Sequence, residues 1–441
     1  MKILVLGSGG REHTIVWKIK QSLSCSKLYC IPGNGGISED AICEPSIKIY
    51  EFEKIYDFIV ENKIDLVVVG PEQPSVDGIK DYLSKYNIAV FSPTKSQALL
   101  EGSKVFAKKF MYKYEIPTAD FVVCNNYEEA KKMLKEMFRK HPEGVVVKAD
   151  GLASGKGAVV CDTVEKAEDV IYDIMVRKIF ASAGEKIVIE KKLKGIEMSL
   201  IAFCDGEAIL PLTHSQDHKQ IYDGDRGPNT GGMGAYSPLN FVSKKLEEKI
   251  YNQIIKNFLS GIKNSGLDYC GVIYFGLMIE NLGKENEQPY VLEFNCRFGD
   301  PETQVILPLL KNDLLEVITS TVEKKLKDIK LSFYNKSACC VVMASKGYPQ
   351  EYEANKEITG LEEVKKLQDV IVFHAGTKKV NNKYFTSSGR VLGVVGLAES
   401  LKEAVERSYL AVEKINFENK YYRKDIAKKG VSIMENIYDN I

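Results

Sequence analysis

Glu293, Asn295 and Arg297 are each separated by one residue in the run Val291-Leu292-Glu293-Phe294-Asn295-Cys296-Arg297. Alternate residues of a strand share a face, so these three converge while Leu292, Phe294 and Cys296 pack behind them. A carboxylate beside an amide oxygen is a hard-ligand pair for Mg2+ (or Mn2+), completed by phosphate oxygens and water. An adjacent arginine can stabilise charge on a phosphoryl group in transit. The same pattern also describes a buried Glu–Arg pair that ties down an edge strand. Glu280, at the end of the preceding strand, is a further candidate oxygen ligand.

Two glycine loops offer phosphate chemistry. Gly151-Leu152-Ala153-Ser154-Gly155-Lys156-Gly157 lacks the spacing and the Ser/Thr of a P-loop, and strand-like runs flank it on both sides. A glycine loop between strands can fold over a nucleotide and present amides to its phosphates, with Lys148 in reach from the preceding strand. The turn Gly7-Ser8-Gly9-Gly10 lies between a strand and a helix, where amides and dipole suit an anion. Its dinucleotide fingerprint is incomplete, because the second strand ends in Ile31-Pro32 with no acidic residue for a ribose. Arg11 beside the turn favours a phosphomonoester. The purely structural readings of the two loops are a plain hairpin and a plain packing turn.

A third irregular region joins Thr213 through Lys219 to Asp225 through Ser237, including Gly227-Pro228-Asn229-Thr230-Gly231-Gly232-Met233-Gly234. Long irregular segments inside large domains are usually functional or disordered, and the regular sequence bounding this one favours an ordered binding loop. His214 and His218 are four apart but lack the glutamate of a zinc helix, and the ten cysteines contain no C-x-x-C. Both are read as non-metal, and the cysteines as reduced thiols of a cytoplasmic protein.

The elements that must carry these residues follow from the pattern. Short apolar runs alternate with helical stretches over the first hundred residues, which predicts a doubly wound parallel sheet with active groups at the strand ends. Those ends hold Gly9-Gly10-Arg11, Pro32-Gly33-Asn34 and Gly70-Pro71-Glu72. A helix near Lys104–Tyr114 leads to a strand-rich unit, and a small α+β unit follows from about Leu331. The 441 residues carry 60 Lys+Arg against 60 Asp+Glu, a zero balance that argues against nucleic acid and acidic membranes as partners. No apolar run approaches the length of a membrane span.

The order of Gly9-Gly10-Arg11-Glu12-His13, Pro32-Gly33-Asn34, Gly70-Pro71-Glu72, Leu100–Lys104, Lys148–Ala153, Ser215–Lys219, Gly227–Pro238 and Glu293–Glu302 resembles the glycinamide ribonucleotide synthetase (phosphoribosylamine–glycine ligase) family of ATP-grasp enzymes. Phe373–Thr377, Gly389–Leu392 and Arg423–Ile426 extend the likeness over essentially the whole chain. The resemblance implies ligation of glycine to 5-phosphoribosylamine through a glycyl phosphate, with ATP as co-substrate and Mg2+ or Mn2+ as cofactor. It implies ATP binding by Lys104, Lys148, Gly151, Ser154, Gly155, Lys156, Gly157, Glu190, Lys191, Leu193 and Glu197. Metal binding falls to Glu293 and Asn295, and catalysis to Arg297. Substrate contacts fall to Gly9, Gly10, Arg11, Asn34 and Glu72, with Asp217 and Ser237 on the glycine. Ser8 and Ala427 depart from the family, which commonly has Asn and Gly there.

The implied architecture is α/β and α+β multidomain. It comprises an N-terminal substrate domain (1–103), an ATP-grasp core (104–121 and 191–330), a lid (122–190) and a C-terminal domain (331–441). A stand-alone monomer is expected. Three rival functions compete with this one. A nicotinamide dehydrogenase leaves the second glycine loop and Glu293-Asn295 without a role. A non-catalytic nucleotide-binding protein would hold MgATP without turning it over. A carboxylating or formate-activating purine enzyme is opposed by the 227–238 segment and the C-terminal matches.

Overall fold

The computed structural model describes residues 1–153 and 157–438, with the side chains of 434–438 left aside. Its N-terminal part is a five-stranded sheet in the order β3 (Ile42–Cys43), β2 (Lys27–Pro32), β1 (Lys2–Gly7), β4 (Leu66–Val69), β5 (Ala89–Phe91), all pairs parallel. Ile3 and Val5 pack with Ile15 and Val16 on one face, Leu4 and Leu6 with Ile55 and Ile59 on the other. That two-sided burial explains the uninterrupted apolar run of β1. The expected doubly wound sheet is present, with its glycine turns at the strand ends.

The helix Lys104–Lys113 starts at Ser103, whose hydroxyl accepts the Phe106 amide at 3.0 Å. Asp150 takes the Val105 amide at 3.0 Å and the Ser103 hydroxyl at 2.8 Å, so the end of the glycine-loop strand is pinned to the helix N-terminus. The next sheet runs β6 (Phe121–Cys124), β9 (Ile187–Lys191), β7 (Val145–Ala149), β8 (Ala158–Cys161). Residues 150–157 link β7 to β8, an antiparallel pair in which Lys148 faces Ala158. Two amphipathic helices, Tyr127–Lys140 and Val164–Met175, bury Leu134, Met137, Ile171 and Ile174 against this sheet.

The central sheet is antiparallel, in the order β11 (Ile209–Pro211), β10 (Ile196–Cys204), β16 (Gly271–Glu280), β17 (Gln288–Asn295). Between Gly276↔Glu293 and Leu277↔Val291 the register shifts, leaving Leu292 as the extra residue of a bulge. The C-terminal sheet takes β18 (Ser337–Ser345), β20 (Arg390–Ala398) and β19 (Val370–His374). It continues through two earlier strands, β15 (Gly234–Ser237) and β12 (Gln216–Asp217). The glycine-rich segment is therefore ordered: β13 (Gln220–Tyr222) pairs β14 (Arg226–Asn229), and β15 is buried along its length. The helix read from about Ser243 carries a π turn at Tyr251–Ile255. Among the described residues no helix is long and apolar enough to cross a membrane.

Candidate functional site

A cavity of about 470 Å3 opens between the β6–β9–β7–β8 sheet and the central sheet, within the range of small-ligand sites. Val146, Ala158, Val160, Leu193, Met278 and Leu292 form its apolar walls. Lys148, Glu190, Lys191, Glu197, Asp217, Lys219 and Glu293 bring the charge. The bulge explains why Leu292 is there. With one extra residue in β17, Leu292 and Glu293 both face the cavity, while Phe294 and Cys296 stay in the core. Strict alternation would place Leu292 behind the strand, and the bulge corrects that expectation.

The three glutamates of the cavity have lysine partners. Lys104 Nζ lies 2.9 Å from Glu293 Oε2, and Lys219 Nζ lies 2.8 Å from Glu197 Oε2. Glu190, 2% exposed, is shared by Lys148 and Lys108. Lys104 holds the Glu293 carboxyl far below its usual range against the cost of burial, with Lys219 and Lys148 helping. Lys219 is pushed up by Glu197. Asp217 behaves oppositely: burial, then Glu302, raises it well above the carboxylate range, and its Oδ1 has no hydrogen-bond partner. Gly232, at φ +108°, packs closely on that buried oxygen, where a Cβ would fall 2.7 Å from it.

Arg297 leads from the cavity towards the N-terminal sheet. Its Nε lies 2.9 Å from Glu72 Oε2 and 3.1 Å from Glu101 Oε1. The Arg11 guanidinium reaches the same Glu72 at 3.9 Å, and both arginines donate to the Phe298 carbonyl. Burial opposes the charge on Glu72, but Arg297 and Arg11 pull its carboxyl down to about 2. Glu72 thus joins two cations of the site. The glycine turn is also partnered: the Gly9 amide donates to Glu12 Oε2 at 2.6 Å, and Asp300, against the cost of burial, is lowered by Arg390 and then by Arg11, whose backbone N–H adds to its charge. Glu12 fills the space beside Gly70, where a Cβ would fall 2.2 Å from its Oε1. Gly10 packs on Gln304.

Asn34 uses its whole side chain on structure. It donates to Ser8 O at 2.9 Å and His374 O at 2.8 Å, and accepts the Gly36 and Ile37 amides. Ser237 is fully buried, its hydroxyl bonded to Thr213 and the His214 carbonyl, and it does not line the cavity. Asn295 and Gly276 flank Glu293 on the paired strands. Glu280 stands opposite Gln288 at the far end of β16 and accepts the Lys194 amide, so it does not join Glu293. Gly151 sits at φ +152° against Ala183, and Gly157 against Ala153. Ser154, Gly155 and Lys156 lie outside the described residues.

Sequence reasoning missed Lys108, Glu101, Asp300 and Arg390. Arg390 Nη1 donates to the Gly231 carbonyl at 2.5 Å and the Asp300 carbonyl at 2.9 Å, and its Nη2 pairs with Asp300 Oδ2 at 3.1 Å. Lys429 and Ile433 of the C-terminal helix also reach the cavity. Ala427 adopts φ +64°, a backbone state that glycine accommodates and a Cβ strains by about 1–2 kcal/mol. The departure at Ala427 therefore falls on a left-handed residue.

Comparison with known proteins fits this layout. The family model described as "Phosphoribosylglycinamide synthetase, N domain" matches residues 1–101, its "ATP-grasp (A) domain" matches 102–303 and its "C domain" matches 338–429. The phosphoribosylamine–glycine ligase of Caldanaerobacter subterraneus is 49% identical over 97% of this chain and 99% of its own length. That of Clostridium acetobutylicum is 45% identical over 97% and 100%. The crystal structure of the Thermotoga maritima phosphoribosylamine–glycine ligase superposes with a TM-score of 0.81 at 36% identity, over 97% of this chain and 100% of that one. Biotin carboxylase of Campylobacter jejuni, at 16% identity and a TM-score of 0.72 over 96% and 93%, shares the fold. With its three consecutive domain matches and full-length relatives, the chain belongs to the phosphoribosylglycinamide synthetase family of ATP-grasp enzymes.

Proposed function

We propose that this chain is a carbon–nitrogen ligase of purine biosynthesis, joining glycine to 5-phospho-D-ribosylamine with cleavage of ATP to ADP and phosphate. The observation that carries this reading is the end-to-end likeness to phosphoribosylamine–glycine ligases, at 49% identity over 427 residues. A carboxylate is a poor acyl donor, and phosphorylation by ATP makes it an activated mixed anhydride for attack by the ribosylamine nitrogen. The protein's part is positioning, charge neutralisation and exclusion of water from that glycyl phosphate.

ATP lies in the 470 Å3 cavity, its adenine between the apolar walls and along the 190–193 hinge. Glu197 takes ribose hydroxyls, Lys104 and Lys148 take phosphate oxygens, and Gly151 and Gly157 border the glycine loop read as a further phosphate contact, whose residues 154–156 lie outside the described ones. Glu293 and Asn295 supply oxygen donors only, and Glu293 is held ionised, which fits a hard divalent cation. When bound, Mg2+ or Mn2+ neutralises charge on the phosphate oxygens. Arg297 stabilises the phosphoryl group as it moves. Asp217 receives the glycine ammonium: a carboxyl kept neutral by burial, with a free oxygen, ionises when a cation arrives. Ser237 supports the glycine loop from behind, and Gly9, Gly10, Arg11, Asn34 and Glu72 frame the phosphoribosylamine end.

The division into 1–103, 104–121 with 191–330, 122–190 and 331–441 is part of this proposal, as is a cytoplasmic monomer acting on small molecules, without nucleic acid or membrane. A coupled ADP-release assay with each substrate omitted in turn tests the reaction. ADP release that needs both glycine and phosphoribosylamine, with glycinamide ribonucleotide as product, supports it; release independent of either sinks it. Sedimentation tests the monomer.

A further inference from the structure

The helix Lys104–Lys113 presents two lysines one turn apart to the sheets beneath it. Neither lines the cavity itself: Lys104 pairs with Glu293, which does, while Lys108 pairs with Glu190 behind it. Lys108 is 2% exposed and contacts Glu190, the Thr118 hydroxyl at 2.6 Å and, at 6.0 Å, the Phe121 ring. Thr118 donates onward to the Val291 carbonyl at 2.7 Å, so its oxygen is free to accept from Lys108. On the other side of Glu190, Lys148 pairs with Oε1 and donates to the Leu292 carbonyl at 3.0 Å. One buried carboxylate is thus held between two ammonium groups, of which only Lys148 faces the cavity.

We infer that Lys108 is a positioning residue for the nucleotide: by sharing Glu190 it keeps Lys148 from being locked into a closed ion pair and leaves its ammonium available to a phosphate oxygen. The inference rests on the ATP reading of the cavity. A buried carboxylate with two cationic partners holds each less tightly than a carboxylate with one. Without the Lys108 charge, Glu190 has only Lys148, and neutralising that carboxylate competes directly with binding phosphate. Glu190 also opens the 190–193 hinge, so its placement bears on both ends of the nucleotide.

Lys108 is itself titratable. Burial lowers it to about 8, with Glu190 opposing and Lys148 and Lys104 adding to the fall. Its proton is therefore held below pH 8 and lost above it, which predicts tight nucleotide binding on the acid side and weaker binding on the alkaline side. Arginine at this position stays charged throughout.

The test is calorimetric: the Kd of a non-hydrolysable ATP analogue with Mg2+ at pH 7, 8 and 9, and the KM for glycine. The proteins are the unmodified chain, Lys108→Met, Lys108→Arg and, as a control on the exposed face, Lys109→Met. Expected is about tenfold weaker binding by the unmodified chain at pH 9 than at pH 7. Lys108→Met is weak at every pH, Lys108→Arg has a near-normal Kd that no longer changes with pH, and Lys109→Met matches the unmodified chain. Glycine KM stays within about twofold throughout. An unchanged Kd in Lys108→Met overturns the inference. So does an alkaline loss that persists in Lys108→Arg, or a parallel rise in glycine KM. Should Lys108→Met not fold, the pH profiles of the unmodified chain and Lys108→Arg decide alone. Failure of the unmodified chain to bind the analogue refutes the ATP reading instead.

Discussion

The two ends of the cleft use opposite chemistry for the same task of holding charge. At the cavity end, Lys104, Lys108, Lys148 and Lys219 meet Glu190, Glu197 and Glu293. At the N-terminal end, Arg11, Arg297 and Arg390 meet Glu12, Glu72, Glu101 and Asp300. Lysine is a flexible point charge that can exchange a carboxylate for a phosphate, and here four lysines share three glutamates. Arginine is a rigid fork, and here carboxylates exceed arginines, an excess that suits amine-bearing substrates. The difference separates groups free to change partners from groups that fix the frame.

The largest effect tests the exchangeable end. Glu293→Gln should lower turnover by about 10²–10³-fold while the thermal midpoint stays within a few degrees; near-normal turnover across a Mg2+ titration removes Glu293 from the metal role. The fixed end should respond differently. Arg297→Lys keeps the charge but cannot serve Glu72 and Glu101 together, leaving Glu101, 3% exposed, short of a partner. A stability loss of about 3 kcal/mol or more, visible in a denaturant melt, should accompany a fall in kcat/KM. Full rescue by lysine would erase the contrast between the two ends. Arg11→Ala should act more narrowly, raising the KM for phosphoribosylamine by about tenfold with ATP unaffected. An effect confined to ATP contradicts its placement.

The smallest effect comes from two buried histidines, one at each end. His218 is lowered by burial to about 4, and His374 by burial to about 3, from an ordinary 6.5. The folded chain therefore binds fewer protons than the unfolded chain between those values. Stability rises with pH across that window and is lost as pH falls from 6.5 towards 4, each histidine contributing on the order of 1–3 kcal/mol. His218→Gln should flatten part of this slope in thermal melts recorded between pH 4 and 7. An unchanged slope assigns the loss to other groups.

Much of this is legible in the sequence because periodicity reports burial. The run of β1, the alternation of Glu293, Asn295 and Arg297, and the glycine loops all announce strands and their ends. Leu292 escapes that logic because a bulge is set by pairing with β16, which β17 alone does not encode. Lys108 is hidden among the lysines of an amphipathic helix, where a charge normally marks the solvent side. Asn34 looks like a substrate contact from its loop, yet all of its hydrogen-bonding capacity serves two loops and the His374 carbonyl, 340 residues away. Such long-range partners leave no local pattern. Asp300 and Arg390 escape for the same reason.

The sheet shared by β12, β15 and β18 also sets an order on synthesis. β15 pairs with β18 through Gly234↔Val341 and Ser237↔Ala338, so the segment carrying Asp217 and Gly232 has no sheet neighbour on that side until Val341 has left the ribosome. Nascent chains shorter than this hold the β6–β9–β7–β8 sheet and the parallel sheet but an unfinished cleft. Non-local pairing of this kind slows folding and exposes strand edges while it waits. The chain consequently acquires the wall that carries Asp217 among the last of its parts, and chaperone demand should peak at chain lengths between β15 and β18.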